Sequence, residues 1–168
     1  MSRRSVLLAI SAAAAHPFSF VSAHAAGDFD DPAEKLVSVT AGRGRTTRFS
    51  RDDLAALPQT RFETKAPWIA TPAVFEGPSV AQLLRAFAPE AAFERAEIAA
   101  LDEYAATADV SRLVADDAIF AIRQNGAFMS VADKGPALLI FPFDDRPELK
   151  DKPHFGLCIW QISRIRLS

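Results

Sequence analysis

The sequence predicts an α+β fold, a single domain in which short strands form a mixed β-sheet and short helices connect them. Most apolar segments are short, alternate with polar residues and end at glycine, proline or asparagine, which is typical of strands. Only two segments have helical spacing, and each follows a serine that can cap a helix. Many short strands with few helices favour a mixed sandwich or a barrel-like sheet.

The N-terminal segment has the pattern of an export signal. An arginine pair precedes an apolar stretch over residues 6–21 and the small-residue cleavage pattern Ala23-His24-Ala25. Pro17 and the absence of a stop-transfer pattern favour a cleaved signal over a membrane anchor. We expect residues 1–25 to be a signal peptide, residues 26–168 to be one mature domain, and the periplasm to be its location. The arginine pair fits a twin-arginine signal as well as an ordinary one.

The charge balance excludes two classes of partner. The chain has 19 Lys and Arg against 21 Asp and Glu, a formal net charge of −2 at pH 7. Cleavage of the signal peptide would make the charge about −4. Proteins that bind nucleic acid or an anionic membrane surface are typically basic. No second apolar run is long enough to cross a bilayer, so we expect no direct membrane insertion after cleavage.

Cysteine and histidine are too scarce for several kinds of site. Cys158 is the only cysteine, and His154 is the only histidine beyond the predicted signal peptide. One thiol cannot form an internal disulfide, and these two residues do not suffice for a metal cage or a Ser-His-Asp triad. The apolar run 157–160 predicts that Cys158 is a buried small side chain.

The first predicted elements are a hairpin and a capped helix. Residues 35–40 alternate as a strand, and the glycine-rich stretch 42–45 turns the chain into a second strand that ends at Phe49. Residues 50–53 form a capping box in which Asp replaces Glu, and the helix ends at Pro58.

A strand, a loop and a second helix follow. Residues 60–65 alternate as a half-buried strand, residues 66–69 form a loop, and residues 74–78 form another strand. Ser79 caps the second helix. Its apolar residues at helical spacing are Val80, Leu83, Leu84 and Phe87.

The rest of the chain predicts strands. Asn125-Gly126 has the chemistry of a tight hairpin turn, because both residues tolerate positive φ. The predicted strands cover residues 97–101, 104–108, 118–123, 137–141 and 157–167, the last with a polar break at residues 163–164.

A set of motifs in fixed order resembles a known family. The motifs are Phe49-Ser50-Arg51-Asp52-Asp53-Leu54-Ala55-Ala56-Leu57-Pro58-Gln59-Thr60, Phe75-Glu76-Gly77-Pro78-Ser79-Val80-Ala81-Gln82-Leu83-Leu84, Leu101-Asp102-Glu103-Tyr104, Asn125-Gly126, Met129-Ser130, Asp133-Lys134-Gly135-Pro136 and Ile159-Trp160-Gln161-Ile162-Ser163-Arg164-Ile165. They resemble the small stand-alone relatives of the sulfite oxidase fold, the molybdopterin-binding oxidoreductase domain. The resemblance covers almost all of the mature chain and implies a sulfite-oxidase-like mixed β-sheet domain with a pocket for a flat pterin.

The chain departs from the catalytic members of that family at the metal ligand. The resemblance implies that a cysteine after the Leu-Pro helix ligates molybdenum, but residues 62–68 contain no sulfur. A soft thiolate is the main protein ligand of such a metal. The long insertion around the pyranopterin and the extra dimerisation domain are also missing. We therefore expect no metal and no molybdenum redox chemistry.

The chain is similar to a group of small exported family members that also lack this cysteine. That resemblance implies a non-catalytic periplasmic protein that binds a reduced, tetrahydropterin-type pterin. It further implies a partner, the periplasmic domain of a membrane-bound cyclic-di-GMP synthase/phosphodiesterase, to which the protein relays the pterin level. The alternatives are a small molybdopterin-dependent oxidoreductase or redox accessory subunit, and a structural accessory protein with a vestigial pocket.

A pterin site needs a stacking ring and a carboxylate that faces the amino and ring N–H groups. Trp68, on the loop after Pro67, is a candidate platform or else a core side chain. Asp102 lies in a turn before Tyr104 and is a candidate acceptor for the pterin edge, or else part of a solvated turn. Tyr104 belongs to the same predicted site.

Two further candidates lie near the C-terminus. Lys134, before Gly135, is a candidate contact for a ligand phosphate, hydroxyl or ring carbonyl, or else part of a charged turn that protects an aggregation-prone strand. Trp160, in the last predicted strand, either contacts the ligand or packs in the core. The charged loop 144–152 predicts a partner-docking surface, a pocket lid or a solvated loop. The predicted ligand-binding residues are Trp68, Asp102, Tyr104, Lys134 and Trp160.

Overall fold

The computed structural model describes residues 28–42 and 44–168, which form eleven β-strands, four α-helices and one 3-10 helix. The predicted α+β class is confirmed. The predicted signal peptide and its cleavage site lie outside the described residues. Within the described part of the chain, no helix is both long enough and apolar enough to span a membrane.

The larger sheet has five strands in the order β2-β1-β11-β5-β6. These strands are β1 (Val37–Ala41), β2 (Thr46–Phe49), β5 (Arg95–Ala100), β6 (Ala105–Asp109) and β11 (Ile162–Leu167). β1 and β11 are parallel, with Val39 opposite Ile165, and the other neighbours are antiparallel. Ile165 also lies opposite Ile98 of β5. All three side chains are buried, so the first and last strands share one hydrophobic core.

A second sheet has four strands in the order β3-β4-β8-β9, and β7 pairs separately with β10. These strands are β3 (Thr60–Ala66), β4 (Ile69–Gly77), β7 (Ile119–Ala121), β8 (Arg123–Gln124), β9 (Ala127–Phe128) and β10 (Leu138–Ile140). The end of β4 approaches β7 closely, because a Cβ at Gly77 would collide with the carbonyl oxygen of Phe120. The side chains of β7 and β10 are buried, so this pair belongs to the core.

Two helices begin at the predicted serine caps, α1 (Arg51–Ala55) and α2 (Val80–Phe87). Ser50 Oγ accepts the Asp53 N–H at 3.0 Å, while Asp53 Oδ2 accepts the Ser50 N–H at 2.8 Å. Ser79 and Gln82 form the same reciprocal pair at α2. These capping boxes satisfy backbone donors that the first helical turn leaves without partners.

The prediction of only two helices is wrong, since α3 (Val110–Ala115) and α4 (Lys152–Leu157) are also present. The Asp151 side chain caps α4 by accepting the His154 N–H at 2.9 Å, and a proline occupies the first turn. The predicted last strand is therefore too long. β11 begins only at Ile162, and both Cys158 and Trp160 lie in the segment between α4 and β11.

The two predicted turns have different outcomes. The Asn125-Gly126 hairpin is confirmed: φ is +52° at Asn125 and +87° at Gly126, and the turn joins β8 to β9. The loop predicted over residues 66–69 is instead a tight turn at Pro67-Trp68, because β3 and β4 pair up to Ala66 and Ile69. The turn holds Trp68 at the tip of a long hairpin.

Candidate functional site

An open cleft of about 240 Å³ lies where the turn after β5 meets the segment between α4 and β11. We call it the Trp160 cleft. Its lining combines aromatic rings, backbone and one carboxylate: Ala100, Asp102, Tyr104, Phe155, Gly156, Cys158, Ile159, Trp160 and Gln161. The Leu101 N–H donates to the Gln161 carbonyl at 3.0 Å and holds the two sides together.

Trp160 forms an exposed aromatic wall of this cleft. Its residue exposure is 39%, which excludes a core position. The Lys134 Nζ lies 4.9 Å from the centroid of its ring, and the Trp68 ring meets it edge to face. Trp160 is therefore fixed by neighbours while part of its ring surface faces solvent.

Asp102 and Tyr104 also line the cleft, at and just after the predicted turn. Asp102 Oδ1 accepts the Tyr104 N–H at 3.0 Å, which holds the carboxylate in a defined orientation. The Tyr104 hydroxyl donates to the Gly156 carbonyl at 3.1 Å and so reaches across to α4. Tyr104 remains 53% exposed, so its ring is also available to a ligand.

Lys134 does not line the cleft but lies above its tryptophan wall. Its backbone is in the left-handed region, with φ of +73°, and its carbonyl accepts the Gln161 N–H at 3.0 Å. The next residue, Gly135, packs against the Met129 carbonyl so closely that a Cβ would collide with it. The anchored loop thus places an ammonium beside the aromatic wall.

Trp68 is half-buried and does not line the cleft. Its ring centroid lies 5.5 Å from that of Trp160, with an angle of 60° between the planes. Its Nε1 is buried and has no hydrogen-bond partner among the described residues. The structure therefore places Trp68 behind Trp160, where it supports the wall of the cleft.

The sequence did not indicate several of the cleft residues, because its pattern did not predict α4. Phe155, Gly156 and Cys158 reach the cleft only because α4 turns the chain before β11. The pattern Asp151-Lys152-Pro153 is a helix start, with a capping side chain followed by a proline, and would have indicated α4. The long apolar run after it favours a strand and hides this signal.

His154 fixes α4, and with it one wall of the cleft. The ring is buried, with Nδ1 lying 2.7 Å from Asp151 Oδ1 and Nε2 lying 3.0 Å from Asp116 Oδ2. The pKa of the Asp151 carboxyl is held below its ordinary value by the hydrogen bonds from the His154 backbone N–H and ring. Because Asp116 follows α3, His154 joins the two helices that the sequence did not indicate.

The predicted burial of Cys158 is confirmed, but its position is not the expected one. Cys158 is one of the residues that line the Trp160 cleft, and its buried thiol donates to the His154 carbonyl at 3.4 Å. Burial raises the pKa of this thiol far above its ordinary value, so the sulfur is protonated at neutral pH. A protonated, hydrogen-bonded thiol is a poor nucleophile and a poor metal ligand.

The stretch in which the family resemblance implies a sulfur ligand contains a buried hydroxyl instead. Thr64 Oγ1 accepts the Asp144 N–H at 3.1 Å and donates to the Lys65 carbonyl at 3.2 Å. This neutral, fully engaged oxygen does not fit the role of a soft thiolate, so the donor set does not suit molybdenum. In the described ranges, no three His, Cys, Asp or Glu side chains form a group arranged to hold a metal ion.

Comparison with known proteins supports the fold alone. No family model matches the chain, and no curated protein is similar to it in sequence. Among solved structures, it is similar to the crystal structure of the sulfane dehydrogenase SoxCD from Paracoccus pantotrophus, with a TM-score of 0.59 and 12% sequence identity. The match covers 80% of this chain but only 39% of the SoxCD chain. The prediction of a sulfite-oxidase-like α+β fold is thereby confirmed.

Proposed function

We propose that the protein binds a reduced pterin in the Trp160 cleft and performs no redox chemistry there. One observation carries the proposal: an exposed indole and a carboxylate line a single cleft, and an ammonium lies beside the indole. These groups belong to Trp160, Asp102 and Lys134, which are far apart in sequence. They complement the flat ring, the amino edge and the ring carbonyl of a pterin, respectively.

In this proposal the pterin ring stacks on the exposed surface of Trp160, with Tyr104 as a second aromatic contact. Aromatic rings stack favourably on flat heterocycles, and a ring fixed by its neighbours loses little entropy on binding. Trp68 and Lys134 supply that fixing through their contacts with the indole.

Asp102 is proposed to accept hydrogen bonds from the amino group and the adjacent ring N–H of the pterin. Its Oδ1 already accepts the Tyr104 N–H, which orients the carboxylate and leaves further acceptor capacity, because a carboxylate has about four lone-pair sites. Two parallel N–H···O bonds to a carboxylate are stronger than neutral ones and distinguish a pterin from most flat aromatic compounds.

We propose the absence of redox chemistry because the site, among the described residues, lacks a suitable metal ligand. The Cys158 thiol is protonated, and the stretch where a sulfur ligand is expected contains no sulfur, while its buried Thr64 hydroxyl is engaged in hydrogen bonds. The competing function, a small molybdopterin-dependent oxidoreductase, has one observation in its favour, namely that Cys158 lines the cleft. It would require a thiolate that the buried environment disfavours.

We further propose that the protein is periplasmic and reports the pterin level to the periplasmic domain of a membrane-bound cyclic-di-GMP synthase/phosphodiesterase. Support comes from the export pattern and from the family resemblance of the sequence. Such a partner responds to the pterin only if its affinity differs between the free and the pterin-bound protein. The ring of Tyr104 at the edge of the cleft is exposed on a surface where both ligand and partner can contact it.

Direct binding tests the pterin site. Purified mature protein is titrated anaerobically with tetrahydrobiopterin, with calorimetry and tryptophan fluorescence as the readouts. Saturable binding that Trp160→Ala weakens supports the proposal, and the absence of saturable binding overturns it. Elemental analysis distinguishes this proposal from the alternative function. If protein purified from a host that makes the cofactor contains stoichiometric molybdenum, the protein is a molybdopterin-dependent oxidoreductase.

The partner is tested separately. The isolated periplasmic domain of a candidate membrane enzyme is titrated with the protein, once free and once saturated with tetrahydrobiopterin. A difference between the two dissociation constants supports the relay. Equal dissociation constants would contradict the relay while leaving the pterin site intact.

A further inference from the structure

A second groove of about 230 Å³ lies beside the Trp160 cleft. It is lined by Lys65, Ala66, Pro67, Ile69, Lys150 and Phe155. Phe155 lines both cavities, so the groove and the cleft are neighbours on either side of this residue. We call it the lysine groove.

The charges of the groove favour an anion. Lys150 Nζ lies 2.8 Å from Asp144 Oδ1, whereas no carboxylate of the described residues lies within salt-bridge distance of the Lys65 ammonium. The pKa of the Asp144 carboxyl is held below its ordinary value, chiefly by the hydrogen bond from Lys150, then by that from the Lys65 backbone N–H, and last by the charges of both lysines. The groove lining thus holds two ammonium groups, and among the described residues only that of Lys150 is paired with a carboxylate.

The rest of the lining is apolar. Ala66, Pro67 and Ile69 belong to the hairpin of β3 and β4, and the Phe155 ring packs 5.1 Å from that of Phe143. A strongly hydrated group would gain little binding free energy on such a surface, whereas an apolar group gains free energy when the surface buries it. A ligand that fills the groove therefore needs an apolar body and an anionic end.

We propose that the lysine groove binds the side chain of the pterin held in the Trp160 cleft, and that this side chain is an apolar spacer ending in a carboxylate. The proposal presupposes the pterin site proposed above. The spacer lies along Phe155 and Ile69, and the carboxylate lies near Lys65. The groove thus determines which reduced pterins bind well, a selection that the ring contacts alone cannot make.

Three probes separate ring binding from side-chain binding. Tetrahydrofolate has an aryl spacer with carboxylates, its dimethyl ester has the same spacer without charge, and tetrahydrobiopterin has a short neutral side chain. We expect tetrahydrofolate to bind about fivefold more tightly than its ester, the effect of one partly solvated ion pair. This difference should shrink at high salt.

Lys65→Gln is the decisive variant, because it removes the unpaired ammonium and leaves the Asp144–Lys150 ion pair intact. It should abolish the difference between tetrahydrofolate and its ester without changing the dissociation constant of tetrahydrobiopterin. Lys152→Gln is the matched control, an exposed lysine that lines neither cavity, and should preserve the difference.

The outcomes separate the two proposals. If tetrahydrobiopterin binds but the wild-type protein does not distinguish the acid from the ester, the lysine groove is refuted and the pterin site stands. If Lys65→Gln and Lys152→Gln reduce the affinity difference between tetrahydrofolate and its ester equally, the lysine groove is refuted as well. The difference would then depend on the net charge of the protein and not on Lys65. If none of the three probes binds, both proposals fail.

Discussion

The indole rings of Trp68 and Trp160 lie edge to face, with centroids 5.5 Å apart, although 92 positions separate them in the chain. One ring is half-buried against the core and the other is exposed in the cleft. Through this contact the tip of the β3–β4 hairpin supports the segment before β11. The two tryptophans therefore have different roles, which substitution can separate.

Replacing Trp160 by alanine should weaken tetrahydrobiopterin binding by about 1–3 kcal/mol, the range for stacking of a base on an aromatic side chain. The protein should stay folded with a modestly lower melting temperature, because the substitution also removes the edge-to-face contact with Trp68. Calorimetry measures the first quantity and thermal unfolding the second. Trp68→Phe keeps an aromatic edge beside Trp160 and is the control. An unchanged dissociation constant for Trp160→Ala would remove the ring from the site.

Asp102→Asn should weaken pterin binding by about 1.5–3 kcal/mol, the contribution of hydrogen bonds to a charged group. The amide oxygen can still accept the Tyr104 N–H, so the turn should keep its geometry. Glu103→Gln is the matched control, since Glu103 pairs with Arg164 at 3.1 Å and does not line the cleft. If Glu103→Gln reduces the affinity as much as Asp102→Asn, the carboxylate has no specific role.

Gly77→Ala should destabilise the fold by about 1–3 kcal/mol, as expected for overpacking. The added methyl group would meet the Phe120 carbonyl and push β7 away from β4. Urea unfolding followed by circular dichroism measures the change. Gly44→Ala serves for comparison, because a Cβ at Gly44 meets no atom within 4 Å, and it should unfold at nearly the wild-type urea concentration.

Asp53 should make stability depend on pH in the acidic range. The hydrogen bond from Lys35, followed by that from the Ser50 backbone, holds the pKa of its carboxyl below the ordinary 3.8. A lowered folded-state pKa stabilises the fold above the unfolded-state value, and this contribution is lost as the pH falls through the folded-state value. The wild-type protein should thus exceed Asp53→Asn in stability at neutral pH, and the gap should narrow below about pH 4. A gap that stays constant down to about pH 2 would contradict the proposed linkage.

Cys158 should react slowly with a disulfide reagent in the folded protein and rapidly in denaturant. Burial raises the pKa of its thiol, so the reactive thiolate is scarce. The rate at which the reagent's thiol leaving group is released, measured at mildly alkaline pH, reports how reactive the cysteine is. A fast reaction of the native protein would reveal a thiolate in the cleft and would favour the oxidoreductase.

Local sequence determines much of this fold. Ser50 and Ser79 begin their helices as predicted, because a capping side chain contacts backbone only three residues away. Asn125-Gly126 makes its hairpin for a similar reason, since positive φ is a property of the residues themselves. Period-two alternation likewise predicts β1 and β3.

The residues around the cleft are a different case. The chain by itself determined the α+β class, the two serine caps and the set of polar and aromatic residues worth following. Only the tertiary structure decided that Trp160 leaves the core, that α4 replaces the start of a strand, and that Cys158 reaches the cleft. The apolar run 157–160 suits a strand as well as a helix end and a connecting segment. The choice depends on partners distant in sequence, such as Asp116 for His154 and Trp68 for Trp160, whose contact energies no local pattern contains.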